Sequence, residues 1–430
     1  MQTAYLIPTH RDASRAIVGY APELAWALEQ GRQVPLVVAE TNDTYEASNS
    51  LALKAARRRL GDLETLHATT AVQRHFFAAL LTGALKRWQL TFTTPSRDYG
   101  TAMNKLFLFT VSLGVDGFHR RDSDTRLTEL GDSVAGGLPI ERELHFLGQR
   151  VSVVANDLPG AADIPNDPVL TVVGGNYFGE WNLDVKDLAR VSFEPVYRLY
   201  EILGFDPAWI ESICAEAFPP EARVPTEDLF TLVRSVNDGL NPDCGNVAVT
   251  LLHEHLPVLG GNNILAGDYF AFDTATSLGL PSVHHSRAVF HEYTSDRFDV
   301  VAKQTYWEGV ARFADYFNIY GPLYSGTLRE RLGLTGELDW DACREGIAAY
   351  LSAAAGADVD ARVPRLVRLS REVLALDGRY ATIASHIERN AEALVAECTA
   401  AYRAHADLLE DWPALVARAR DVALRDFVQD

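Results

Sequence analysis

The feature that most constrains the fold is the stretch 99–127, YGTAMNKLFLFTVSLGVDGFHRRDSDTRL. An apolar run over 103–113 reads as a helix, and 115–118 as a short strand that delivers Asp122-Ser123-Asp124 to its end. Two carboxylates one residue apart at a strand end suit a hard cation. Mg²⁺ and Mn²⁺ prefer oxygen ligands, and they bind through one or two carboxylates while substrate phosphates complete the shell. An ion clamped on a nucleoside diphosphate neutralises the charge that builds up on a leaving group. Acidic triplets are common, and by itself this one reads more often as loop carboxylates in an acidic protein. Its surroundings decide.

Upstream, the apolar run 4–7 closed by Pro8 has the punctuation of a buried strand, and Asp12 or Ser14 caps a helix reaching about Gln30. Residues 34–39, VPLVVA, make a second strand that ends in Glu40-Thr41-Asn42-Asp43. Two such strands around a helix imply a right-handed crossover, with ligands bound outside the carboxyl ends, where Thr9, Arg11, Glu40 and Asp43 gather. Taken singly, Thr9 and Asp43 also read as turn and capping residues. Helical patterns cover 44–60 and 70–85, a brief strand is expected over 91–93, and a loop with Arg97 leads into the central stretch.

In this order the segments resemble the GT-A glycosyltransferases. IPTHR at 7–11 is similar to that class's opening strand and loop, and VVAETND at 37–43 to its second strand. YGTAMNK at 99–105 is similar to its helix start, and GVDGFHRRDSDT at 114–125 to its metal strand. The resemblance implies an α/β fold, a Rossmann-like mixed sheet flanked by helices over 1–296, with an all-α subdomain over 297–430. It implies a nucleoside-diphosphate sugar, UDP- or GDP-linked, held by Pro8, Thr9, Arg11, Glu40, Asp43, Tyr99, Gly100, Asn104 and Lys105. Mn²⁺ or Mg²⁺ would sit on Asp122 and Asp124, with Ser123 between them. The chain departs from the pattern at Glu40, where Asp is usual, and at Met103, where Arg is customary. The cationic contact to the diphosphate is therefore open among Arg97, Lys105, Arg120 and Arg121.

Residues 127–168 are rich in Gly, Pro and Asp, with one strand expected over 150–155. In VLTVVGGNYFGEWNLD, 169–184, the turn Gly174-Gly175-Asn176 reads either as a close approach of backbone to ligand or as a simple hairpin. It resembles the turn of GT-A enzymes where sugar and acceptor meet. In NPDCGNVAVTLLHEHLP, 241–257, an amphipathic helix is expected, and Asp243 before it reads as an N-cap and equally resembles the acidic residue that takes the acceptor proton in inverting GT-A relatives. His253 and His255 lie two apart, unlike the i, i+4 pair of a zinc helix, and read as helix-end histidines favoured by the macrodipole. Residues 260–273, GGNNILAGDYFAFD, echo the earlier GGNYFGEWNLD, which makes Asp268 a second candidate base and Asn263 a candidate sugar contact. A strand over 283–291 places His285 and His291 on one side by parity, and His291 resembles the late histidine that GT-A relatives give to the cation.

The rest is helical, with Trp307, Val310, Phe313 and Phe317 at helical spacing, and reads as a cover for the acceptor side or a homodimer face. A net charge of −19 argues against nucleic acid or an anionic membrane as the main partner, so a small soluble acceptor is expected. Four scattered cysteines, no signal-peptide core and no apolar run of spanning length point to the cytoplasm. The Ala- and Arg-rich composition looks actinobacterial, a setting where soluble GT-A-like enzymes serve natural-product pathways such as S-glycosylation in lincosamide synthesis. The competing readings are a sugar nucleotidylyltransferase, whose glycine-rich first loop is missing from PTHRDASRA, and a catalytically silent scaffold.

Overall fold

The computed structural model describes residues 1–428 except 62, 128, 131–132, 135–136, 180–187, 189–191, 206, 209, 212–227, 237–241, 262, 266, 293–299, 325–327 and 358. The first apolar runs fold as β1 (Thr3–Thr9), β2 (Leu36–Glu40) and β3 (Thr65–Ala68). Then come β4 (Gly117–Arg121), β5 (Thr125–Arg126), a two-residue hairpin of β6 (Glu129–Leu130) and β7 (Ser133–Val134), β8 (Val172–Gly179), β9 (Phe230–Val233), β10 (Asn246–Thr250) and β11 (Ser282–His291). Apart from that hairpin the described strands form one mixed sheet in the order β3-β2-β1-β4-β10-β8-β11-β5, with β9 also on β11. Its first four strands are parallel, whereas β10 runs antiparallel to both β4 and β8.

Strand periodicity assigns the faces. Ala4, Leu6, Val37 and Ala39 join one core cluster, while Tyr5, Ile7, Leu36 and Val38 join another on the opposite face. Both faces are covered, as a parallel sheet requires. Pro8 lies inside β1 rather than closing it, and it is tolerated because β4 pairs only with Thr3 to Leu6. Against the first face packs the Tyr99–Ser112 helix, capped by Asp98, which accepts from the Thr101 amide at 2.6 Å.

Several local expectations are corrected. The expected strand at 91–93 lies in the helix Gln89–Thr93. Over 150–155 only Arg150 bridges, to Val169, and Val151–Val154 is a 3₁₀ turn. The expected amphipathic helix after Asp243 is instead β10, whose five residues are all buried between β4 and β8. A run buried on both faces has no polar phase to reveal its period, so burial and β-branched content decide for strand. Only Leu252–His255 is helical there. Burial pulls His253 down to about 3, so it carries no charge for a helix dipole to favour.

The C-terminal part is helical as expected, ending in the helix Ala381–Asp421. Its side chains belong to the same cluster as the sheet's first face, with Leu394, Tyr402, Leu409 and Trp412 beside Phe107, Phe118 and Val249. The Trp412 indole donates to the His253 carbonyl at 3.1 Å, and a His405 ring nitrogen lies 3.0 Å from the Pro257 carbonyl. The boundary expected between 296 and 297 lies outside the described residues. Among the described residues no helix is long and apolar enough to cross a membrane.

Candidate functional site

Beyond their carboxyl ends β1 and β4 diverge, because β1 leads to β2 on one side and β4 borders the antiparallel half on the other. Such a switch point is where open α/β sheets bind ligands. Along β4 the side chains alternate: Arg120 meets Met103 on the Tyr99–Ser112 helix, while Arg121 points to the other face. There Arg121 is fully buried between Glu23 and Glu143, so the structure takes it away from the strand ends.

The turn after Arg121 is fixed by Thr125, whose hydroxyl donates to the Asp122 carbonyl at 2.8 Å. Asp122 Oδ1 accepts from Nε and Nη2 of Arg120 at 3.2 and 3.0 Å, and Oδ2 from the Tyr177 hydroxyl at 2.9 Å. Arg120 also donates from Nη1 to Asp268 Oδ2 at 2.8 Å. Burial pulls Arg120 down, but Asp122 and Asp268 outweigh it and hold the guanidinium above its ordinary range. Asp124 pairs with Arg11 from the loop after β1, and His291 Nε2 lies 3.5 Å from its Oδ2. Ser123 is half-buried between the two aspartates.

Across from this turn stands Asp243. Its Oδ2 accepts from the Tyr177 amide at 2.8 Å and its Oδ1 from the Tyr269 hydroxyl at 2.9 Å. Burial pushes the carboxyl up to about 6, although both hydrogen bonds oppose it. It precedes β10 and caps no helix there. Gly245 donates its amide to the Tyr177 hydroxyl at 2.8 Å, and a Cβ on it would stand 2.5 Å from Asp122 Cγ. Glycine is required for that close approach. The Tyr177 ring stacks on His291 with centroids 5.1 Å apart.

The remaining candidates divide. Thr9 pairs with Glu40 in the β1–β2 register, and Pro8 with Ala39. Glu40 is buried, with Oε1 on Asn49 and His67 at 2.8 and 2.9 Å, and Oε2 buried with no donor among the described residues. Asp43 accepts from the Thr70 hydroxyl. Lys105 donates to Gln73 Oε1 at 3.1 Å, and burial lowers it to about 8 against the pull of Asp98. Asn104 is committed to the Val258 backbone, giving and taking one bond of 2.8 Å each. Gly100 lies against the Leu259 carbonyl, Tyr99 is half-buried at the helix start, and Arg97 is exposed. Gly174 and Gly175 approach the backbones of Asn246 and His285, so it is neighbouring strands that need their missing side chains. Asn176 Oδ1 lies 2.9 Å from His284 Nε2. Asn263 adopts a left-handed φ of 51°, and its amide donates to the capping Asp98 at 2.9 Å. The echo between 174–184 and 260–273 runs through 180–184, 262 and 266, outside the described residues.

Sequence reasoning missed Tyr177, Tyr269 and Gly245. Tyr177 and Tyr269 each stood beside a residue already singled out, but a hydroxyl's partner is a tertiary fact.

The donor chemistry fits a divalent cation. Asp122 and Asp124 of the turn after β4 and His291 of β11 supply oxygen and imidazole donors, and four carboxylates here face two guanidiniums, which leaves negative charge to balance. Among the described residues no three such side chains already converge as a ligand set. The carboxylates are turned to Arg11 and Arg120 instead.

Fold and site define an α/β protein with a charged cluster at the switch point of a mixed sheet. The chain belongs to the family of unknown function DUF6271, whose profile matches residues 2–427. No curated protein matches it.

Proposed function

We propose that the protein is a glycosyltransferase that moves a sugar from a nucleoside diphosphate to a small soluble acceptor. One observation carries the reading: the Asp122-Ser123-Asp124 turn leaves β4 beside Arg11 of the loop after β1, with the buried carboxylate of Asp243 joined to it through Tyr177. The parallel first half, meeting antiparallel β10 at that turn, also supports the finer assignment to the GT-A class.

On the donor side, Glu40 offers its buried Oε2 to a hydroxyl of the nucleoside, and Thr9 shapes the loop by accepting the Arg11 amide at 3.0 Å. Asp122, Asp124 and His291 would hold a divalent cation, which when bound neutralises charge on the departing diphosphate. The acceptor's heteroatom attacks the anomeric carbon while its proton passes to Asp243. The bond from that carbon to the diphosphate oxygen breaks, and its electron pair stays on the phosphate. A carboxyl near 6 is ionised at neutral pH yet basic enough to take a proton, and Tyr269 orients it.

The test is a panel of UDP- and GDP-linked sugars scored by release of nucleoside diphosphate. Asp243→Asn is expected to lose about 10² to 10⁴ in kcat while binding nucleotide as the parent does. A panel that yields no turnover and no nucleotide binding sinks the reading.

A further inference from the structure

We propose that Arg11 is an exchangeable counter-ion: it neutralises Asp124 until a divalent cation displaces it, and the freed guanidinium then turns to the diphosphate. The inference rests on the proposed nucleotide site and adds an order of events to it. The two arginines at the site are built differently. Arg120 is anchored at three points, on Asp122, Asp268 and the Met103 sulfur, and its side chain is 5% exposed. Moving it would strip two carboxylates and open the core behind β4.

Arg11 is held at its backbone instead. Its amide donates to Thr9 Oγ1 at 3.0 Å, and its carbonyl accepts from the Thr9 hydroxyl at 2.8 Å and from Asn49 Nδ2 at 3.2 Å. Among the described residues the side chain has one ion pair, to Asp124, and a contact to His10 Nε2 at 3.0 Å. Its Nε is buried with no acceptor among the described residues. A buried guanidinium N–H without a partner costs free energy that an anion oxygen would recover. The Oε2 of Glu40, on a side chain with no exposure, likewise has no donor among the described residues, and Asn49 ties the two residues together through the Arg11 carbonyl and Glu40 Oε1. One corner thus lacks an acceptor for Arg11 and a donor for Glu40, the two things a nucleotide brings.

A cation cannot share Asp124 with Arg11 at ligand distance without strong repulsion. Cation and guanidinium therefore compete for that carboxylate. A bound diphosphate resolves the competition by taking the arginine, so cation and nucleotide binding are positively coupled through this one side chain.

The experiment is calorimetric titration of MnCl₂ alone, then of UDP and GDP at saturating Mn²⁺, into the parent, Arg11→Gln and Arg11→Lys. Arg11→Gln is expected to bind Mn²⁺ alone about tenfold more tightly and nucleotide about tenfold more weakly. Arg11→Lys keeps the charge and guards against a folding defect. It should leave Mn²⁺ affinity near the parent's while losing the planar fork for phosphate. Mn²⁺ affinity unchanged or weakened in Arg11→Gln overturns the exchange. If no variant binds nucleotide but Arg11→Gln still tightens Mn²⁺, the counter-ion role stands and the glycosyl-transfer reading falls.

Discussion

At the scale of single residues, the site is a set of carboxylates given different environments. Asp122 is crowded by donors from Arg120 and Tyr177, whereas Asp243 is pushed up by burial to about 6. A buried carboxyl whose surroundings raise its proton affinity, set among charged neighbours, is a usual signature of an assigned role. Because Asp243 must be ionised to act as a base, kcat/KM is expected to rise through about pH 6 and level off above neutrality. Tyr269→Phe removes a hydrogen bond that stabilises the ionised form, so the acidic limb should move to higher pH while the fold is kept. A pH profile of kcat/KM for both proteins checks this, and an acidic limb left in place by Tyr269→Phe contradicts the assignment of Asp243.

At the scale of elements, two glycines make opposite predictions. Gly245 lies between Asp122 and Tyr177 at the mouth of β10, so Gly245→Ala should misplace both and cost about 10²-fold in turnover with little change in melting temperature. Gly100 instead packs under the Leu259 carbonyl, where a Cβ has no room, so Gly100→Ala should destabilise by about 3 kcal/mol in denaturant titration. The resemblance had put Gly100 with the nucleotide, yet what the structure shows it meeting is the turn that follows the Leu252–His255 helix. Much of the parallel half was legible because β1 and β2 are short, continuous apolar runs. The acidic turn was legible because it breaks an apolar stretch. Strand alternation said that Arg120 and Arg121 must point apart, but which one reaches Asp122 depends on the side taken by the Tyr99–Ser112 helix. β10 was misread for want of a polar phase, and with it went the setting of Asp243.

At the scale of the molecule, the C-terminal helices and the sheet share one apolar core, so neither should hold together without the other. Removing residues 381–430 would strip Tyr402, Leu409 and Trp412 from that core. Such losses cost about 3 to 5 kcal/mol each, enough together to exceed the stability of an ordinary fold. The truncated chain is expected to show no cooperative melt. The parent should melt in one transition seen alike by tryptophan fluorescence and circular dichroism. That transition should depend on pH in a direction fixed by buried groups. Burial lowers His253 and His284 to about 3 and His255 and His405 to about 4, so below 6.5 the unfolded chain takes up protons that the folded one refuses. This contribution is lost as pH falls. Burial raises Asp243 to about 6 and Asp273 to about 7, which acts in the opposite sense, since the folded chain holds those protons longer. Near pH 5.5 the four histidines outweigh the two aspartates by about two protons, so stability should fall by about 2 kcal/mol or more for each unit of acidification there. Below that window Glu143, which Arg121 holds well under the ordinary carboxylate range against its burial, adds a further loss as the unfolded chain protonates first. Melting temperatures taken from pH 7 to pH 4 should therefore decline steadily toward acid. A maximum near pH 5 would mean that the aspartates, and not the histidines, dominate the buried charge of this fold.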